Sequence, residues 1–198
     1  MKKPSLLIGM PCWDKLHWYN AVSLFVLATH WQELGLSNLV LMVIPRRNIV
    51  DGRQIVYDKF KNEKEFTHLL SLDDDIGFEL DDIKALFRND KDFVTGMYRW
   101  RRDPNFVNAH IDNKPLQYEN IKNKGLLEVD SCSLGFALIK RSVIEILGDY
   151  TFWRKVGAEQ DVNFTKALKK QGIKLWLNTN VLGTHTGEVL VHDGFKIV

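Results

Sequence analysis

Apolar residues in this chain alternate between two arrangements. Some form short unbroken runs of strand length, and others recur every three or four positions over helical lengths. Leu6 to Met10, Asn38 to Ile44, Phe66 to Leu72, Asp92 to Met97, Gly135 to Ile139 and Ile173 to Leu177 are runs of the first kind. Trp18 to Leu34, Asn48 to Lys61, Glu79 to Phe87, Arg141 to Leu147 and Gln160 to Gln171 have helical spacing. Gly35 and Gly172 follow two of the helices as stop signals, Pro45 closes the second strand, and Gly52 weakens the helix it lies in. Strand followed by helix, repeated, predicts right-handed βαβ crossovers and a single α/β domain over 1–198 with a mainly parallel central sheet. Ligands of such sheets sit beyond the carboxyl ends of the strands. Trp13, Trp18 and Trp31, around the first helix, read as core residues because an apolar helix needs large side chains to bury.

The pattern is lost between Tyr98 and Gly125, where arginine, asparagine and proline dominate. The segment 98–125 reads as a long loop, a lid or a small hairpin excursion, and long loops within compact domains are commonly functional. Tyr98 and Trp100 beside Arg99, Arg101 and Arg102 suit stacking on a sugar or nucleobase and binding of phosphate, with a charged surface loop as the alternative.

Composition narrows the partners. The 198 residues carry 27 basic and 25 acidic side chains, a net charge of +2, so no global field selects nucleic acid or an anionic membrane. The two cysteines, Cys12 and Cys132, have no metal-binding spacing and suit near-core thiols of a reducing, cytoplasmic compartment. The apolar run that opens the chain is short and is followed at once by Trp13-Asp14-Lys15, which fits a buried first strand better than a signal peptide. No transmembrane segment is expected, since no stretch approaches the length of a span.

Asp73-Asp74-Asp75 is the most informative chemistry, because it places three carboxylates where an apolar strand reaches the surface. Adjacent carboxylates repel one another, and a divalent cation or an ordered set of donors resolves the conflict; oxygen ligands favour magnesium, manganese or calcium. On a strand, Asp73 and Asp75 point to one side and Asp74 to the other. A metal on that pair suits the diphosphate of a nucleotide leaving group. Asp161 opens the helix from Gln160, where the helix dipole favours its anion; it reads as a first-turn acid or a positioned base, with Glu159 as its neighbour in either role. His185, between Gly183 and Gly187, offers an imidazole nitrogen to a metal.

The order of these segments resembles the GT-A glycosyltransferases, in particular the small family 2-like enzymes. Leu70 to Phe78 is similar to the hydrophobic strand ending in an Asp-x-Asp motif, Val129 to Ile139 to the stretch on the acceptor side of the pocket, Glu159 to Phe164 to the Glu-Asp motif at a helix start, and Gly183-Thr184-His185 to the late metal-binding histidine. The resemblance implies a GT-A, Rossmann-like fold and a hexosyltransferase-like enzyme using Mn2+ or Mg2+. A UDP- or GDP-linked nucleotide-sugar would be the donor and the hydroxyl of an unknown acceptor the recipient. By the same resemblance Asp73 and Asp75 bind nucleotide and metal, Asp75 more directly, and His185 completes the metal shell. Asp161 is the catalytic base, Arg47 and Asn48 lie near the nucleotide, and Pro11 lines the nucleoside pocket. The chain departs from the motif at Gln160, where Glu is common, and Glu159 is the substitute. That departure keeps open a catalytically weak or inactive nucleotide-sugar binding module. A sugar-phosphate nucleotidyltransferase is less favoured, because Met10-Pro11-Cys12-Trp13 is unlike a glycine-rich phosphate loop.

Overall fold

The computed structural model describes residues 3–152 and 160–186 in full, and the backbone of 190–192 and 195–197. The first half alternates as expected: β1 (Ser5–Cys12), α1 (Trp18–His30), β2 (Asn38–Pro45), α2 (Ile49–Asn62), β3 (His68–Leu72), β4 (Ile76–Gly77), α3 (Leu80–Arg88) and β5 (Phe93–Met97). The segment that lost periodicity folds into a hairpin, β6 (Phe106–Ile111) and β7 (Lys114–Gln117), with a single helical turn α4 (Tyr118–Ile121). There follow β8 (Leu126–Val129), β9 (Ser131–Cys132), β10 (Phe136–Lys140), α5 (Arg141–Leu147), α6 (Gln160–Lys170), β11 (Leu175–Leu182) and β12 (Thr184–His185). The chain then pairs β13 (Leu190–His192) with β14 (Phe195–Ile197).

The central sheet has seven strands in the order β2-β1-β3-β10-β5-β11-β8. β1, β2, β3, β5 and β11 share one direction, and β10 and β8 oppose it. The mainly parallel sheet is thus present, with β10 inserted against the grain between β3 and β5. The run Phe136–Ile139 is buried throughout, and a strand covered on both faces carries no mark of its direction.

Each face of the sheet has its own core. α2, α5 and α6 cover one, around Phe60, Phe93 and Phe164; α1 and α3 cover the other, around Leu6, Ile8, Met10 and Phe136. Gly52 lets α2 approach β1: a Cβ there would sit 2.8 Å from the Pro11 ring. The weak helix former is the residue that brings its neighbour Arg53 up to the carboxyl end of the sheet.

The tryptophans differ from expectation. Trp13 and Trp18 are 66% and 62% exposed and Trp31 is only partly buried, because α1 turns Asn20, Ser23, Leu24 and Leu27 inward. Helical spacing then places Trp18, Val22 and Phe25 on the opposite side. The first helix is also shorter than its apolar pattern: it ends at His30, and a 3-10 turn carries the chain to Gly35 at φ 67°. Cys12 and Cys132 are buried free thiols. Among the described residues no helix is long and apolar enough to cross a membrane.

His68, on β3 against the Phe87 ring, has its pKa pushed down to about 4 by burial and by the Lys140 cation, with Asp90 opposing. The unfolded histidine takes up a proton near pH 6.5 and the folded one near 4, so stability is full above that window and falls as pH drops through it. His68→Gln should remove a pH-dependent loss of about 2 kcal/mol between about pH 7 and pH 4.5. Urea unfolding at the two pH values checks this: a variant losing as much as the parent would show that His68 does not carry the effect.

Candidate functional site

β3 ends at Leu72, and Asp73 to Asp75 form the turn before β4. Although the triplet is a turn and not strand, its side chains still divide two ways. Asp73 and Asp75 line a cavity of about 400 Å3, and Asp74 lines a second cleft of about 240 Å3. The turn is held from all sides. The Asp73 N–H donates to the Gly135 carbonyl at 3.0 Å, and the Asn20 amide donates to the Asp73 and Ile76 carbonyls at 3.1 and 2.6 Å. The His17 N–H reaches the Asp74 carbonyl, and the N–H and hydroxyl of Thr186 both donate to the Asp75 carbonyl. Gly135 is required for a second reason: a Cβ there would lie 2.6 Å from both an Asp73 carboxylate oxygen and the Tyr98 hydroxyl.

Arg53 is the centre of the larger cavity. It is 4% exposed, donates from Nη2 to Asp73 Oδ1 at 2.8 Å and from Nη1 to Gln160 Oε1 at 2.7 Å, and stands 3.6 Å from Asp161 Oδ2. Burial opposes its charge, but Asp73 and Asp161 together outweigh that and raise its pKa. The same burial pushes the Asp73 carboxyl up against the pull of Arg53. Asp161 occupies the second position of α6, its Oδ1 accepting from the Val162 N–H at 2.9 Å. Gln160, where the family resemblance leads one to expect Glu, is buried and supplies a neutral acceptor to Arg53. A carboxylate there would add another negative charge to a cluster that already holds Asp73 and Asp161 against one cation.

On the other wall β12 pairs with β4, setting His185 opposite Ile76 and its ring beside Asp75. His185 Nε2 lies 3.4 Å from Asp75 Oδ2, and Nδ1 is 2.8 Å from the Arg99 carbonyl. A carbonyl can only accept, so Nδ1 bears a proton and the ring is held with Nε2 facing Asp75. Arg101 adds a contact of 3.2 Å to the same carboxylate oxygen. Burial would raise the Asp75 pKa, but His185 and Arg101 together hold it below the ordinary range.

Among the described residues no group of three or more histidine, cysteine, aspartate or glutamate side chains gathers as a metal cage. Asp73 is turned to Arg53, which leaves Asp75 and His185 as the pair that fits a divalent cation. An ionised carboxylate beside an imidazole oriented by a backbone carbonyl is a suitable donor set, and magnesium-type sites with one or two protein ligands leave the remaining positions to phosphate oxygens and water.

Trp100 lines the large cavity, its ring 5.5 Å from that of Phe106 on the hairpin. Pro11 and Arg47 line the smaller cleft with Trp13 and Asp74. The Asp74 carboxylate accepts from the Cys12 thiol, whose pKa burial and that carboxylate raise to about 11. Asn48 serves the fold by capping α2, its side-chain oxygen accepting from the Asp51 N–H at 3.0 Å. Glu159 lies outside the described residues. Sequence reasoning missed Arg53, Asn20, Thr186 and, as a determinant of the turn, Gly135. Arg53 had a signal, since it shares the inward register of Val56, Tyr57 and Phe60, a place where an unpaired charge is untenable. The others act through backbone carbonyls and leave no trace in residue spacing.

No protein-family model and no curated protein sequence matches the chain. Solved structures do. A197 from STIV superposes with a TM-score of 0.70 at 19% identity, over 98% of this chain and 93% of that one. GalNAc-T7, crystallised with UDP, GalNAc and Mn2+, superposes with a TM-score of 0.60 at 11% identity over 93% of this chain, which spans only 44% of it. The catalytic domain of Drosophila beta1,4-galactosyltransferase 7, in complex with xylobiose, gives 0.55 at 10% identity, over 93% of this chain and 71% of that one. The fold is GT-A-like. At such identities the likeness speaks for the fold and not for donor or acceptor.

Because Arg53 is buried against two carboxylates, Arg53→Met should destabilise the protein by about 3 kcal/mol or more, leaving Asp73 and Asp161 without their counter-ion. Adding Asp73→Asn should restore part of the loss by removing one orphaned charge. Urea denaturation of the single and double variants checks this; additive losses would contradict the network.

Proposed function

We propose that the protein is a metal-dependent glycosyltransferase, which moves a sugar from a nucleotide-sugar donor to an acceptor hydroxyl. The observation that carries the reading is the convergence of Asp73, Asp75, Trp100, Asp161 and His185 on one cavity at the carboxyl end of the parallel strands, from distant parts of the chain. Asp75 and His185 Nε2 would hold Mn2+ or Mg2+, which when bound supplies positive charge to the diphosphate leaving group. Arg101 and Arg102 line the same wall and give phosphate oxygens further cations, Arg101 exchanging its contact with Asp75 for the ligand. The cleft of Pro11, Trp13 and Arg47 takes the nucleoside, and Trp100 offers a flat apolar face to a sugar.

Asp161 is the base. Its ionised carboxylate accepts the proton of the acceptor hydroxyl as that oxygen bonds to the anomeric carbon and the bond from that carbon to the phosphate oxygen breaks, releasing the nucleoside diphosphate. Arg53 stands beside Asp161 and bonds Asp73, so base and donor site share one anchor. Gln160 loses its weight as a sign of an inactive binding module, since its amide oxygen is a partner of Arg53.

Asp161→Asn should keep nucleotide and metal affinity while turnover falls by roughly two to four orders of magnitude. UDP- and GDP-sugars that raise the melting temperature with Mn2+ provide the donors for the assay, and nucleotide release gives the rate. A variant working at the parent rate would remove Asp161 from the chemistry and make Glu159 the candidate base.

A further inference from the structure

The proposed reaction leaves one large apolar surface unused. β2 is the outermost strand of the central sheet, and among the described residues only β1 pairs with it. Its eight residues, Asn38–Pro45, hold an unbroken register with β1, without a bulge, and include no charged side chain. Leu41 and Val43 are 44% and 41% exposed, on the same side as Leu39, which packs with the α1 core. On that side α1 packs on β4 and α3, and its remaining face is open. That face presents Trp18, Val22 and Phe25, at 62%, 50% and 69% exposure, and the stretch from Trp18 to Thr29 is uncharged.

The opposite edge of the sheet is built differently. β8 has four residues, and Glu128 within it is ion-paired to Lys174 at 2.9 Å. Short length and charge are the usual protections of a free strand edge, and β2 has neither.

We propose that β2 and the outward stripe of α1 form the interface of a two-fold homodimer, in which the β2 strands of two copies pair antiparallel and continue the sheet. A two-fold axis sets this surface against a copy of itself, so charges close to the axis would meet their like; β2 and the stretch from Trp18 to Thr29 carry none. A lipid surface would leave the strand's N–H and C=O groups unpaired, whereas a second β2 satisfies them. The five apolar side chains expose about 500 Å2 per copy, hence about 1,000 Å2 in the pair before the strand backbones are counted, where specific interfaces begin.

Sedimentation of the full chain tests the assignment, with a concentration-dependent dimer expected below about 100 µM. Leu41→Lys and, separately, Phe25→Lys place like charges across the axis and should raise the dissociation constant about a hundredfold, with circular dichroism unchanged because both positions are exposed. In the unmodified protein, amide exchange along β2 should slow as concentration rises, a readout that does not depend on either variant folding. A parent that stays monomeric at about 100 µM, a dimer indifferent to both substitutions, or a monomer that binds phosphatidylglycerol vesicles through this face would overturn the proposal.

Discussion

The buried guanidinium of Arg53 is the constraint on which the site depends. It joins three pieces of chain that share no local sequence: α2, the aspartate turn after β3, and the head of α6. Neither Asp73 nor Asp161 is tenable in that cavity without a cation, and Arg53 is equally untenable without them. Each group holds the others in place. The desolvation cost of such a cluster is large, which makes it a poor way to gain stability and a reasonable way to position charge.

The rest of the architecture serves that arrangement. Gly52 allows α2 close to Pro11, Gly135 opens room for the Asp73 carboxylate, and Asn20, His17 and Thr186 fix the carbonyls of the turn. With its backbone held, the turn sends Asp73 to Arg53 and Asp75 to His185, so two acids of one turn serve different partners. One carboxylate is paired with the buried Arg53, and the other faces His185 and the half-exposed Arg101. That division gives the cavity both a fixed charge pair and an open one.

Much of this could be read from the chain before any coordinates. The strand and helix runs translate directly into β1 to β3, α2, α3, β5, α5 and α6, because each buries one face or both and its period says so. Asp75, Asp161 and His185 each stand out by residue type and place in the chain, but only the family resemblance implies that they share one site. What was not legible depends on tertiary contact. The inward spacing of Arg53 was visible, but its two carboxylate partners lie far along the chain, on the turn after β3 and on α6. The direction of β10 leaves no signature in a strand buried on both faces. Trp13 and Trp18 were misplaced for a related reason: a helix with apolar residues on two sides does not say which side the sheet will cover.

The proposed chemistry requires that Asp75 and His185 bind a metal together with a nucleoside diphosphate, while Arg53 holds Asp73 and Asp161 ready beside it. Calorimetric titration of the protein with UDP and GDP, in Mn2+ and again in chelator, for the parent and for Asp75→Asn, examines this directly. At least one nucleotide should bind the parent in Mn2+, and chelator and Asp75→Asn should each weaken that binding by about a hundredfold. Equal affinity with and without the metal, or an Asp75→Asn variant that binds as the parent does, would contradict it.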